Sequence, residues 1–573
     1  MRNLWFGNCS LVLLLSACTA PTTRQPGEAI RIRWARDPET LDPLAQSNQH
    51  AMEAINLLHT GLLQLNYQTS EYAPALAEAL PTVQLVGDSL TLLDYQLRTA
   101  AAWDDGQPVL ATDVDFTLKL LNCPGLSNEG IRSQFSFIHQ LQPDPTDPRH
   151  FTLLCRGQAP EYAWESGDFP VLPEAVLDPT RSLRRYSLAA LQKSSEVTPA
   201  LSALAKRYQA FGQTPNRNQL PGCGPYRLAN WQPNRFLTFK RKATWWADRL
   251  QPAPLVLQAQ PKAIRFSIFP DDGAATLALR RHELDVYPQV SARNFQRLKA
   301  SPLAQQEVAF YSGPSYDALY VGFNTQRPAL RDKLTRQALG CLFDPAGLLA
   351  GTQLGQGQRT VGLLPPGNPY YNDSLPLPTY APAQAARLLR RAGWQQVAGG
   401  WQRGPAQHLA LSVRYRTNDD TFETAALQFR AAAAQLGIPV ELRPTEGSNL
   451  NTTLHAGDFD VFVRTLKGSP LGFNFEPILH SRAVGEGNFV GFRSPTLDCL
   501  LEAIAAAGPP ARKRQLLRKF QVLLREEAPL LPLFFLSYRL VADRRLSHLL
   551  PSGLKPGYSA AAIIASDTQP AAR

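Results

Sequence analysis

The chain has 573 residues, 44% of them hydrophobic and 9% aromatic. That excludes a peptide, a one-motif adaptor and wholesale disorder, and leaves room for about three or four structural units of roughly 150 residues. A net charge of +11 is mild for this length, 48 prolines imply many fixed loops, and past the N-terminus no stretch approaches the roughly 18 continuous apolar residues of a membrane span.

Residues 1–18 read MRNLWFGNCSLVLLLSAC. Arg2 and the free amine form a thin positive region, Leu11 to Leu15 an apolar run, and Leu15-Ser16-Ala17-Cys18 a lipobox. The small Ser16 and Ala17 suit a peptidase cleft, and Cys18 offers a thiol for diacylglycerol transfer. The segment is too short and poorly flanked for a spanning helix. The expectation is a lipoprotein signal peptide over 1–17, a lipidated Cys18, and a Pro/Gly-rich tether over 18–28. Everything beyond would lie outside the cytoplasm, held to a membrane by lipid. Of seven cysteines, five remain after cleavage and lipidation, so at least one is unpaired. Cys123 with Cys155 is the candidate pair; the alternative for each is a small buried hydrophobe.

Ile30 to Trp34 alternates as a strand does. Ala51 to Leu63 reads as a helix, Leu90 to Leu97 as a strand, and Val114 to Leu121 as a helix capped by Asp113. Residues 141–190 read as loop-rich, and 195–220 as a helix followed by a polar loop. Tyr226 to Lys240 reads as a hairpin around Pro233-Asn234. Ala383 to Ala392 is a helix stopped by Gly393. Leu409 to Arg416 alternates, Thr421 to Leu436 is helical and ends at Gly437, and Pro439 to Arg443 and Phe459 to Leu466 are strands. Strand, helix and strand at that spacing make a βαβ unit, so a parallel or mixed sheet with helical cover is expected. Pro510 to Glu527 is amphipathic, with Leu516, Leu517, Phe520, Leu523 and Leu524 inward and Arg512, Lys513, Arg514, Arg518 and Lys519 outward.

Catalytic signatures are missing. There is no HExxH, GxSxG or GxxxxGK[ST], and nine histidines stand singly. A lone histidine is more often a hydrogen-bonded structural residue than a ligand. Asp104-Asp105 and Asp419-Asp420 sit where carboxylates cap or bend the chain. The basic run at 512–519 lacks interleaved aromatics, so it reads as a solvated face rather than a nucleic-acid footprint. A large extracytoplasmic α/β protein with an anchor and no catalyst points to binding, with no cofactor or metal, rather than to an enzyme.

An ordered series of motifs resembles the family 5 extracellular solute-binding proteins, the oligopeptide/dipeptide/nickel-binding components of ABC importers. Asp37-Pro38-Glu39-Thr40-Leu41-Asp42-Pro43 looks like that family's opening strand and turn, followed by Thr60-Gly61-Leu62 and Pro74-Ala75-Leu76-Ala77. Tyr95-Gln96-Leu97-Arg98, Trp103-Asp104-Asp105-Gly106 and Ala111 to Phe116 match its most recognisable block. Gly222-Cys223-Gly224-Pro225-Tyr226 is similar to its GxGPY turn, with Trp231 and Trp245-Trp246 beyond. Glu283-Leu284-Asp285, Phe323-Asn324, Arg336-Gln337-Ala338 before Asp344, Asp458-Phe459-Asp460, Gly487-Asn488 and Glu527-Ala528-Pro529 continue the series.

The resemblance implies a two-lobed α/β periplasmic-binding-protein-like fold (type II, cluster C) with a hinge. Lobe I would span 29–310 with an extra N-terminal subdomain at about 60–215, lobe II 311–530, and 531–573 would return to lobe I. Ligand would lie between the lobes, where strand ends meet the cleft. In peptide-binding members the ligand runs extended between two short segments, which correspond here to Ser47-Asn48 and Thr465-Leu466-Lys467. Arg464 and Lys467 are either ligand contacts or ordinary surface cations. Peptide binders carry Gly-Trp and then an acidic residue for the peptide's α-amine. Thr465-Leu466 stands in place of Gly-Trp here, leaving Asn474 and Glu476 as the nearest polar groups. The implied partners are a small solute, with peptide the first choice, an ABC permease and its ATPases, and the membrane through the lipid; nucleic acid is not among them, and a monomer is expected. Cys223, Lys242 and His282, where the family has Thr, Asn and Gly, leave open a surface lipoprotein that uses the scaffold for adhesion or signalling.

Overall fold

A computed structural model describes residues 29–566, apart from 46–47, 88, 127, 195, 212–219, 418 and 471–473. The expected signal peptide, Cys18, the tether and Ser47 lie outside the described residues.

One mixed sheet of eleven strands runs through the molecule. At its centre two long strands, Val308–Phe323 and Leu530–Asp543, pair antiparallel. Their register slips between Pro314 and Ala318, where Gly313-Pro314 removes a side chain and a ladder donor. On one side of the slip Val308 to Pro314 pairs with Ser537 to Asp543; on the other Ala318 to Gly322 pairs with Leu530 to Phe535. The same two strands therefore feed separate cores. Val308 and Val541 join one with Phe295 and Leu298, Leu540 and Ala542 pack with Ile32, Trp34 and Phe266, and Leu319, Val321, Leu533 and Phe534 pack with Val413 and Phe429.

In the first half Ile30–Trp34 lies parallel to Ala263–Ile268. The hairpin Tyr226–Gln232 and Phe236–Arg241 extends the sheet around Asn234, whose φ is 60°; an asparagine tolerates that left-handed turn. In the second half Leu411–Arg416 and Val440–Thr445 are parallel and joined through helix Asp420–Gln435, which makes the expected βαβ unit. Asp419 caps this helix, and Gly437 past its end adopts φ 74°. Val461–Leu466 completes that side, parallel to Leu411–Arg416 and antiparallel to Val308–Phe323.

Several expectations need correction. The first helix is Gln49–Leu58, not 51–63. It stops because Gly61 enters a bridge with Pro170, where a side chain would strike the Phe169 carbonyl at 2.7 Å. Asp113 does not cap its helix from outside. The helix is Ala111–Leu121, and Asp113 sits in its first turn, accepting from the Leu110 amide at 2.9 Å. Residues 141–190 hold more than loops: His150–Arg156 is an inner strand of a four-stranded antiparallel sheet with Thr82–Val86, Leu90–Gln96 and Ile138–Pro143. Cys123, Cys155, Cys223, Cys341 and Cys499 are all free thiols, the first three buried, so the 123–155 pair is not formed.

Helix Pro510–Glu527 has the expected bounds, but Lys513 points inward. It is 4% exposed and ion-paired with buried Glu161. That bond ties the second half to the helical turn before Tyr162, and Gly508 approaches Gln158 alongside it. Lys242 also has a structural role: its ammonium donates to the Gly222 carbonyl at 2.8 Å and pairs with Asp104. His282 adopts φ 55°, a conformation glycine holds without steric cost.

Candidate functional site

The C-terminal end of the strand Ile30–Trp34 and the N-terminal end of the helix Gln49–Leu58 come together. Between them lies a small recess, with room for about one water, lined by Arg33, Trp34, Gln49, His50, Glu53 and Gln289 among others. Asn48 caps the helix, its side-chain oxygen accepting from the Ala51 amide at 3.0 Å. The capping constraint turns Gln49 and His50 toward the strand end; the His50 ring lies 5.1 Å from that of Trp34.

The floor is an acid in an apolar setting. Glu53 accepts from Trp34 Nε1–H at 2.8 Å and from the Tyr558 hydroxyl. Burial pushes its carboxyl up to about 7 against the pull of these two bonds. His50 moves the other way. Burial first, then Arg36, Arg33, Lys467 and Lys555, hold it down at about 3, so the ring is neutral. Among the described residues Asn48 Nδ2, Gln49 Nε2 and His50 Nδ1 are buried without a hydrogen-bond partner. His50 thus departs from the structural, hydrogen-bonded role expected of a lone histidine.

The second half contributes the segment Arg464 to Gly468, whose Lys467 acts electrostatically on His50. Arg464, Thr465 and Leu466 pair with Tyr320, Leu319 and Ala318 on one edge. On the other edge Leu411–Arg416 pairs only as far as Val463; among the described residues no strand covers Arg464 to Leu466 on that side. Arg464 lies over the Phe489 ring, 5.1 Å from its centre. Lys467 follows, exposed to the cleft yet crowded by protein, and burial, Lys555, Arg36 and Arg464 lower its ammonium to about 8 despite the opposing pull of Asp317. Gly468 is pressed against the register slip: a Cβ there would stand 2.1 Å from the Tyr316 carbonyl oxygen. Asp317, beside it, is ion-paired with Lys555. From the first half Arg36 reaches across, and a Cβ on Gly447 would lie 3.5 Å from its Nη1.

The remaining expected residues are used locally. The Asn474 side chain accepts from the Glu476 amide at 3.0 Å, and Glu476 is ion-paired with Arg482; neither lines the recess. Sequence reasoning missed Arg36, His50, Glu53, Asp317, Gly468 and Lys555. Their convergence joins positions more than 500 residues apart, and only Gly468, a glycine just after a strand, carried a local signal.

Sequence and structure comparisons place this geometry in a known class. The family described as bacterial extracellular solute-binding proteins, family 5, matches residues 71–475, and the chain belongs to it. The chain is similar to protein XP55 of Streptomyces lividans, 25% identical over 522 residues that cover 88% of this chain and 84% of that one. Its fold is similar to that of the oligopeptide-binding protein AppA from Bacillus subtilis in complex with a nonapeptide, with TM-score 0.76, 16% identity, and coverage of 94% of this chain and 99% of that one. NikZ from Campylobacter jejuni in complex with Ni(L-His) gives TM-score 0.73 at 19% identity, covering 94% and 98%.

Proposed function

We propose that this chain is the lipid-anchored, extracytoplasmic solute-binding component of an ABC importer, which captures a peptide or similar small polar solute between two lobes and delivers it unaltered to a permease. The observation that carries the reading is the uncovered edge of Arg464 to Leu466, followed directly by Lys467, which acts electrostatically on His50 in the recess. An extended backbone laid on that edge gains main-chain hydrogen bonds without demanding particular side chains. Ser47-Asn48 and Thr465-Leu466-Lys467 are the segments we assign to hold it, with Arg464 as a neighbour.

The lobes divide near 310–311 and 530–531, with the extra subdomain at about 60–215. They flex where the two long strands lose register, at Pro314 to Ala318 and Phe535 to Ser537. Lobe closure excludes water from the solute and gives the permease a shape distinct from the empty one. Cys18 carries the lipid, and the protein acts as a monomer.

Native mass spectrometry of the whole protein purified from its host tests this. The expected spectrum shows one retained small solute per chain and the added mass of a lipid on Cys18. A chain that retains no solute, and takes up none across a broad screen of peptides and small polar compounds, contradicts the reading.

A further inference from the structure

We infer, building on the solute-binding reading above, that the captured solute is a net anion, its negative group seated where Arg36 and Lys555 of one lobe meet Lys467 of the other, with Gln49 and His50 offering hydrogen bonds beside it.

The charge balance at this corner is lopsided. Arg36, Lys467 and Lys555 all act on His50 electrostatically. The carboxylate that acts on Lys467 from among them is Asp317, and it is already committed to Lys555. Glu53, the acid on the recess floor, has its oxygens occupied by Trp34 and Tyr558 and is buried. An incoming ammonium therefore meets several cations, while Asp317 and Glu53 are already engaged; Asp37, beside Arg36, accepts from the Asn234 amide with one oxygen and keeps the other buried without a partner. An anionic oxygen meets Arg36, Lys467 and a Lys555 shared with Asp317, together with the Gln49 amide, a buried donor left without a partner. An unmet buried donor costs about 1–3 kcal/mol, and an ionised acceptor makes the stronger class of hydrogen bond.

The arrangement also couples charge to closure. Arg36 and Lys555 belong to one lobe, Lys467 and Arg464 to the other, so closing the cleft brings like charges together. An anion between them turns that repulsion into attraction on both sides. The ammonium of Lys467 is lowered by burial first, and by repulsion from Lys555, Arg36 and Arg464 after it.

Isothermal titration of the whole chain, stripped of bound solute, uses a matched set of probes at low and high salt. Ala-Ala-Ala-amide is cationic, Ala-Ala-Ala is zwitterionic, acetyl-Ala-Glu-Ala carries two carboxylates, and citrate carries three without a peptide backbone. The inference expects the anionic probes to bind at least tenfold more tightly than the other two, and to weaken with salt. Binding by acetyl-Ala-Glu-Ala but not citrate assigns the charge to a peptide; the reverse assigns it to a small organic acid. Lys467→Gln and Lys555→Gln are each expected to cost the anion at least tenfold, with Lys467→Arg restoring most of the loss at position 467. Tighter binding of the cationic or zwitterionic probe, or anion binding unchanged in Lys467→Gln, overturns the inference and leaves the solute-binding reading standing. Failure of every probe, with no solute co-purifying from the host, overturns both.

Discussion

Glu53 keeps its proton to about pH 7 because burial outweighs its two hydrogen bonds. In the unfolded chain a glutamate ionises near 4.5, so between about 4.5 and 7 the folded state binds more protons and stability falls as pH rises. Over that 2.5-unit interval Glu53 withdraws roughly 3 kcal/mol, and the loss levels off above about 7. Buried His50 and His59, each lowered to about 3, act oppositely between about 3 and 6.5, so the test is a comparison with a variant. In Glu53→Gln the amide still accepts from Trp34 and donates to Tyr558. Urea unfolding at pH 5 and pH 8 is expected to show wild type losing a few kcal/mol more than Glu53→Gln; parallel losses contradict the assignment. Gly468 is limited by space rather than by φ, since a methyl would meet the Tyr316 backbone oxygen. Gly468→Ala is expected to cost about 1–3 kcal/mol in closure or stability, read as weaker solute binding or a lower Tm; unchanged values in both contradict it. Asn48 entered as a candidate through the family resemblance alone, and its capping of the first helix was not legible because that helix was read as starting at Ala51. His50 was not, because nothing local shows that both its neighbours and its counter-charges come from far along the chain.

Helix Pro510–Glu527 and the unit Leu411 to Thr445 were legible because their apolar spacing, Asp419 and Gly437 mark periods and ends locally. The two long strands were not read as strands. Gly313-Pro314 interrupts one like a turn, and Leu530 to Leu536 is a continuous apolar run containing Pro532, which does not declare its period. The inward turn of Lys513 was hidden too, since its partner Glu161 is 352 residues away. This buried pair bridges the helix to the turn before Tyr162, far from the register slip in sequence. Removing one member leaves a buried charge uncompensated, at a cost of about 3–5 kcal/mol in the state that buries it. If that state is the closed one, Lys513→Ala weakens solute binding strongly and leaves the unfolding midpoint of the solute-free protein nearly unchanged. An unaltered affinity with a much lowered midpoint assigns the pair to folding instead. The paired change Glu161→Gln with Lys513→Met is expected to recover much of the binding.

At the scale of the whole molecule, one sheet continues through both lobes, so the proposed closure is expected to bend two adjacent strands. Their slip at Pro314 to Ala318 is where the ladder is already broken. Each lobe keeps its own core on either side, which lets them rotate as bodies while the strands bend. The resemblance made the architecture and the family legible from a dozen short motifs. Of the basic corner only Lys467 and Arg464 were named through the resemblance; Arg36 and Lys555 lie outside its motifs and meet the others only in the folded chain.

The most direct test is small-angle X-ray scattering of the whole chain, first stripped of solute and then after the solute extracted from the native preparation is returned. The account predicts a larger radius of gyration for the stripped protein and a smaller, saturable value at one solute per chain. Two superimposable curves, with the solute demonstrably bound, contradict the clamp.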